Sequence, residues 1–145
     1  MLEKMDLKAR HNARKHLVQA IYQWQLTAQN SNDIQRQFLD DFLGTRVDLP
    51  YFKAILQDLP QHSATLDALF LPFSERVEKD IDPIELAILR LATYELLLRL
   101  DVPYPVVINE ALELTKKFGA EESFRFVNSI LDHVAKNTRT AEYAR

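Results

Sequence analysis

Gly44 and Gly119 are the only glycines in a chain of 145 residues, and that scarcity constrains the fold more than any other feature. Tight hairpins need glycine or asparagine where φ is positive, and strands need alternating β-branched or aromatic residues. Neither pattern is present, so the expected fold class is all-α, with about seven helices in two packed helical bundles. Apolar residues make up 47% of the chain, enough for a core at this length. No repeat, low-complexity stretch or linker interrupts it, and residues 1–145 read as a single helical domain. Whether residues 1–7 form a flexible basic arm is left open.

The same residue counts exclude several kinds of chemistry. Phosphate-cradling loops need clustered glycines, and the two here lie far apart in the chain. With no cysteine there is no disulfide or thiolate metal site. His11, His16, His62 and His133 lack metal-ligand spacing and read as solvated or capping residues. No serine sits in a Gly-x-Ser-x-Gly elbow, and Glu110, Glu113, Glu121 and Glu122 read as solubilising, helix-end carboxylates. The expectation is a protein that is not an enzyme, with no cofactor, no metal and no small-molecule substrate. The apolar stretch Ile84 to Leu100 is broken by Glu85, Arg90, Glu95 and Arg99, which suits a buried helix rather than a membrane span. The charged start, with no apolar run behind it, does not resemble a signal peptide, and a cytoplasmic location is expected.

Helical periodicity organises the chain. From Lys8 to Thr27, at about 100° per residue, Ala13, Leu17, Ala20, Ile21 and Trp24 share one side and Lys8, His11, Lys15, Gln19 and Tyr22 the other. A second helix is expected over Asp33 to Leu43, with Gly44 as its stop, and a third from Tyr51, entered through Asp48 and Pro50 and ended or bent by Pro60. Ser63 to Val77 reads as one helix with a break at Pro72. Asp82-Pro83-Ile84-Glu85 is a start signal: Asp82 caps, Pro83 suits the first helical position, and Glu85 can close a capping box. The helix that follows, to Leu100, is apolar nearly all round and belongs at a bundle centre. Further helices are expected over Val106 to Phe118, where Glu113 can pair with Lys117, and over Glu121 to Asn137, which turns Phe124, Val127, Ile130, Leu131 and Val134 to the core.

Charge is unevenly spread. Residues 1–16 hold five cationic and two acidic side chains, a net of +3, while the other 129 residues carry −6. Such asymmetry suits a local electrostatic footprint rather than a basic surface. The basic segment reads equally well as a phosphate contact or as a solvated helix start. Tyr22, on the polar stripe, reads first as half buried under a neighbouring helix and second as an anchor for a partner or a base.

Several strings, taken in order, resemble the NusB family. They are Val18-Gln19-Ala20-Ile21-Tyr22-Gln23-Trp24-Gln25-Leu26, Ile88-Leu89-Arg90-Leu91-Ala92-Thr93-Tyr94-Glu95-Leu96, Val102-Pro103, Val107-Ile108-Asn109-Glu110-Ala111, Lys116-Lys117-Phe118-Gly119 and Phe126-Val127-Asn128. The resemblance spans about residues 9–135 and implies a non-catalytic transcription antitermination factor. Such a factor binds the boxA RNA element of nascent ribosomal transcripts together with NusE, a small-subunit ribosomal protein, within the transcription elongation complex. By motif position it implies RNA contacts at Lys8, Arg10, His11, Arg14, Lys15, Glu122 and Phe126, and partner contacts at Tyr22 and Glu85. Phe126 could equally be a core phenylalanine, and Asn109 and Asn128 are expected to form interhelix hydrogen bonds. The family's arm is often a run of arginines; here His11, Asn12 and Ala13 separate Arg10 from Arg14, which predicts weaker RNA binding or more dependence on the partner. The alternative is a NusB-like protein-interaction module, self-associating or not, that binds no RNA of its own.

Overall fold

The computed structural model describes residues 6–119 and 121–144, so the part of the arm at residues 1–5 lies outside the described residues. Among the described residues every regular element is helical, as the glycine scarcity predicts. The chain divides into two compact units, Met1–Pro60 and Gln61–Arg145. No helix among the described residues is long and apolar enough to cross a membrane.

The first unit holds α1 (Leu7–Thr27), α2 (Ser31–Asp41) and α3 (Leu49–Asp58), each packed on the other two. A side-chain cap starts each of them. Asp6 accepts from the Ala9 N–H at 2.9 Å, Asn30 from Asn32 at 2.8 Å and Asp48 from Tyr51 at 3.1 Å; such caps are worth about 1 kcal/mol each. Leu17, Val18, Ile21, Ile34, Phe52, Ile55 and Leu56 fill the core. His16 is neither solvated nor a cap: its ring lies edge-on to Phe42 at 4.7 Å, and its Nδ1–H donates to the Asn12 carbonyl at 2.8 Å. Gly44 follows α2 at φ +74°, a backbone conformation other residues adopt only under strain. Pro60 closes the unit, in a 3-10 turn over Leu59–His62.

The second unit holds α4 (Ser63–Phe70), α5 (Pro83–Leu98), α6 (Tyr104–Phe118), α7 (Ser123–Thr138) and the short α8 (Thr140–Tyr143). The apolar α5 sits against α4, α6 and α7, with every residue from Glu85 to Leu96 buried. Its start follows the expected signal in part. Asp82 accepts from the Ile84 and Glu85 N–H groups, but the Glu85 carboxylate turns to Arg76 instead of back to the cap.

Four further expectations need correction. The helix expected to reach Val77 stops at Phe70. Pro72 turns the chain into a 3-10 segment over Leu71–Phe73, and Ser74 then bonds both the N–H and the carbonyl of Arg76. Glu113 pairs with Lys116 at 3.8 Å, not with Lys117. Asn109 and Asn128 are exposed and make no interhelix hydrogen bond among the described residues. Phe124 is only half buried, with the Lys116 ammonium 5.3 Å from its ring centre.

Two buried arginines brace the second unit. Arg90 grips Asp67 through two bonds of 3.0 and 2.8 Å and Glu78 through one of 2.8 Å, tying α4 and the 3-10 turn Glu78–Asp80 to α5. Arg139, at the end of α7, donates to the carbonyls of Glu95, Leu96, Arg99 and Val102 and to the Glu142 carboxylate. A cation there satisfies orphan carbonyls at the C-terminus of α5 and matches its dipole.

Candidate RNA and partner surfaces

The residues singled out by sequence fall into two sets, one in each unit. In the first unit α1 presents Lys8 exposed and His11, Lys15 and Tyr22 half buried, on the stripe that the periodicity predicted. Arg10 and Arg14 do not join them. The Arg10 guanidinium lies 4.1 Å from the Tyr51 ring centre and 3.3 Å from the Asp48 carboxylate. Arg14 is 3% exposed and faces the same ring at 5.4 Å. Its angle explains this. Arg14 falls about 20° from Ile21 and about 40° from Val18 around α1, in the middle of the inward face.

This placement thins the basic surface already diluted by His11, Asn12 and Ala13. A cation that sequence reasoning missed partly restores it: Arg46, mostly exposed, is ion-paired with Asp6. The Arg46 guanidinium, and to a smaller degree the Ala9 N–H, hold the Asp6 carboxyl below the ordinary aspartate range. Nothing local in the sequence links residue 46 to residue 6, because the turn after α2 brings them together.

In the second unit the structure joins Glu85 to Phe126. Glu85 is 6% exposed at the start of α5, and Phe126 stands half exposed on α7. Arg76 lies between them, with Nη1 3.5 Å from the Glu85 carboxylate and its guanidinium carbon 4.1 Å from the Phe126 ring centre. Phe126 is thus not the core phenylalanine that its alternative reading allowed. Beside it opens a cleft of about 340 Å³ lined by Phe73, Arg76, Arg125, Phe126 and Ser129 among others. The exposed His133 ring stacks on Phe73 at 4.8 Å and 7°. Glu122 is exposed just before α7 and caps nothing. Arg76 and Phe73 carry no sequence signal for this site, since they lie in the stretch that the periodicity predicts as helix.

Exposed rings, planar cations and a shallow cleft can take an unstacked base and its phosphate. Among the described residues no group of three histidine, aspartate or glutamate side chains could hold a metal ion.

The architecture is that of a small all-helical protein built as two helical units with a basic first helix. Comparison with known proteins makes this specific: the profile of the NusB family matches residues 11–136, and the chain belongs to that family. It is similar to the transcription antitermination protein NusB of Idiomarina loihiensis, 52% identical over 135 residues that cover 93% of this chain and 97% of the relative. The protein of the same name from Shewanella loihica is 50% identical over 130 residues, 90% of this chain and 97% of that one. Among solved structures, T. maritima NusB aligns with a TM-score of 0.76 at 28% identity, covering 93% of this chain and 96% of that one. The fold also matches a chain in a crystal structure of the antitermination factors NusB and NusE in complex with dsRNA, at a TM-score of 0.79 and 22% identity, over 90% of this chain and 98% of that one.

Proposed function

We propose that this protein is a non-catalytic adaptor in transcription antitermination that binds boxA RNA together with NusE as part of the elongation complex. Family membership supports the role. The observation that carries it is the Arg76–Phe126 pair: a half-exposed ring under a guanidinium, at the edge of an open cleft, is a base-stacking platform with a phosphate partner beside it. Lys8, His11 and Lys15 on α1 add cationic attraction, with Arg46 close to the helix start; Arg10 and Arg14 hold α1 to α3 through Tyr51. Glu85 and Tyr22 receive NusE, and the acidic remainder of the chain speeds docking of a basic partner.

The test is titration of labelled boxA RNA into the protein–NusE complex, with wild type and Phe126→Ala. Loss of one stacked base weakens binding by about tenfold; equal affinity for the two proteins contradicts the assignment. A second reading draws on the exposed Leu98, Leu100 and Val106, which share the corner between α5 and α6. In it the chain makes only protein contacts, and the protein alone then shows no boxA binding while Phe126→Ala leaves binding by the complex unchanged.

A further inference from the structure

We infer that Arg76 couples the two surfaces of the second unit, so that a partner cation docking at Glu85 raises the affinity for RNA at Phe126. The inference rests on the functional reading above and adds a mechanism to it. Arg76 is 40% exposed in its side chain, whereas its ion-pair partner Glu85 is 8% exposed. Its guanidinium serves both sites at once, reaching the carboxylate at 3.5 Å while covering one face of the Phe126 ring at 4.1 Å.

Several features make this contact exchangeable. Arg76 sits in the irregular segment between the 3-10 turns Leu71–Phe73 and Glu78–Asp80, held locally by Ser74. Downstream, Glu78 is tied to the buried Arg90, so the backbone at residue 76 is anchored on both sides while its side chain spans open surface. A separation of 3.5 Å is long for an arginine–carboxylate bond, which in a tight pair is about 2.8 Å. The neighbouring Arg125 and Glu75 line the same cleft, leaving Arg76 among charges of both signs.

The physical chain is short. With no partner bound, Arg76 is the cation paired with Glu85, and part of its charge is neutralised there. When a lysine or arginine of the partner protein takes that carboxylate, Arg76 loses its counter-ion but keeps its place over Phe126. Its full charge then faces a phosphate, and its plane is free to sandwich a base. Linkage makes the effect reciprocal: RNA that recruits Arg76 uncovers Glu85 for the partner.

A double-mutant cycle on the full chain reads this out with boxA RNA, first alone and then with NusE. Glu85→Gln imitates neutralisation by the partner and keeps the packing of a buried side chain. It should strengthen RNA binding by the protein alone by about threefold to fivefold, while Arg76→Gln weakens it. In the Arg76→Gln background the Glu85→Gln gain should vanish, and the gain in RNA affinity on adding NusE should shrink. Arg76→Lys, which keeps the charge but not the planar stack, should retain the coupling at lower RNA affinity. Strictly additive effects of the two glutamine variants, with wild-type RNA binding intact, would overturn the coupling alone. Absence of RNA binding by the wild-type complex would remove the functional reading and this inference together.

Discussion

Arg139 offers the sharpest test of what holds the second unit together. Its guanidinium is 5% exposed in its side chain and donates to four carbonyls at 2.7 to 3.1 Å and to Glu142 at 2.7 Å. Glu95 and Arg99 also receive backbone N–H groups, from Arg99 and Val102, so they lose least when the arginine goes. The cost therefore concentrates on Leu96 and Val102. At about 1.5–3 kcal/mol for each bond to a charged group, truncation to alanine should cost roughly 3–5 kcal/mol, a large share of the typical 5–15 kcal/mol of a folded domain, roughly speaking. In urea, with a slope of about 2 kcal/mol/M, the midpoint should fall by about 2 M at unchanged slope. Arg139→Lys keeps the charge but loses the fork and should recover about half of that loss. Glu142→Gln, at a one-third exposed side chain, should cost under about 1 kcal/mol. A midpoint for Arg139→Ala within about 0.5 M of wild type would refute the capping argument.

Other expectations follow from the same geometry. Lys8→Gln and Lys15→Gln should each reduce the salt dependence of RNA binding by roughly 0.7 in the log–log slope. Arg14→Gln should instead leave that slope unchanged and lower the melting temperature, because Arg14 is buried against Tyr51. Asp67→Ala leaves the buried Arg90 without its bidentate partner and should cost about 3 kcal/mol in urea unfolding, whereas loss of the half-exposed Glu78 costs far less. Asp6 has a lowered pKa, so its contribution to stability is present above the ordinary aspartate range and is lost as pH falls through the folded-state value. Asp6→Asn keeps a capping oxygen but not the charge facing Arg46, so melting against pH should show a flat acid side and a neutral-pH stability lowered toward the acid-side level.

The architecture was legible because local signals and burial agree. Asp48-Leu49-Pro50 and Asp82-Pro83 start helices where they should, and the all-round apolar run in α5 is the buried centre of its unit. The reading failed where a side chain's role is set across the fold. Residue type places Arg14 with the other cations, although its angle on α1 points inward. Arg139 carries no helix-stop pattern, yet residues 43 and 44 positions earlier in sequence define its job. The spacing of Leu66, Leu69, Phe70, Phe73 and Val77 imitates a helix to Val77, but beyond Phe73 Arg76 and Glu78 bond outward to α5 and α7 instead of along a helix of their own. The candidate site was therefore half visible: Phe126 and Glu85 followed from the resemblance, and the arginine that joins them did not.

We propose that nucleotides meet this protein on the polar stripe of α1 and on the Phe126 surface. Photo-cross-linking of boxA RNA to the protein–NusE complex, with the attachment sites mapped by mass spectrometry, tests it most directly. Adducts at Lys8 to Lys15 and at Phe73 or Phe126 are predicted. Adducts confined to other surfaces, or to NusE alone, would contradict it.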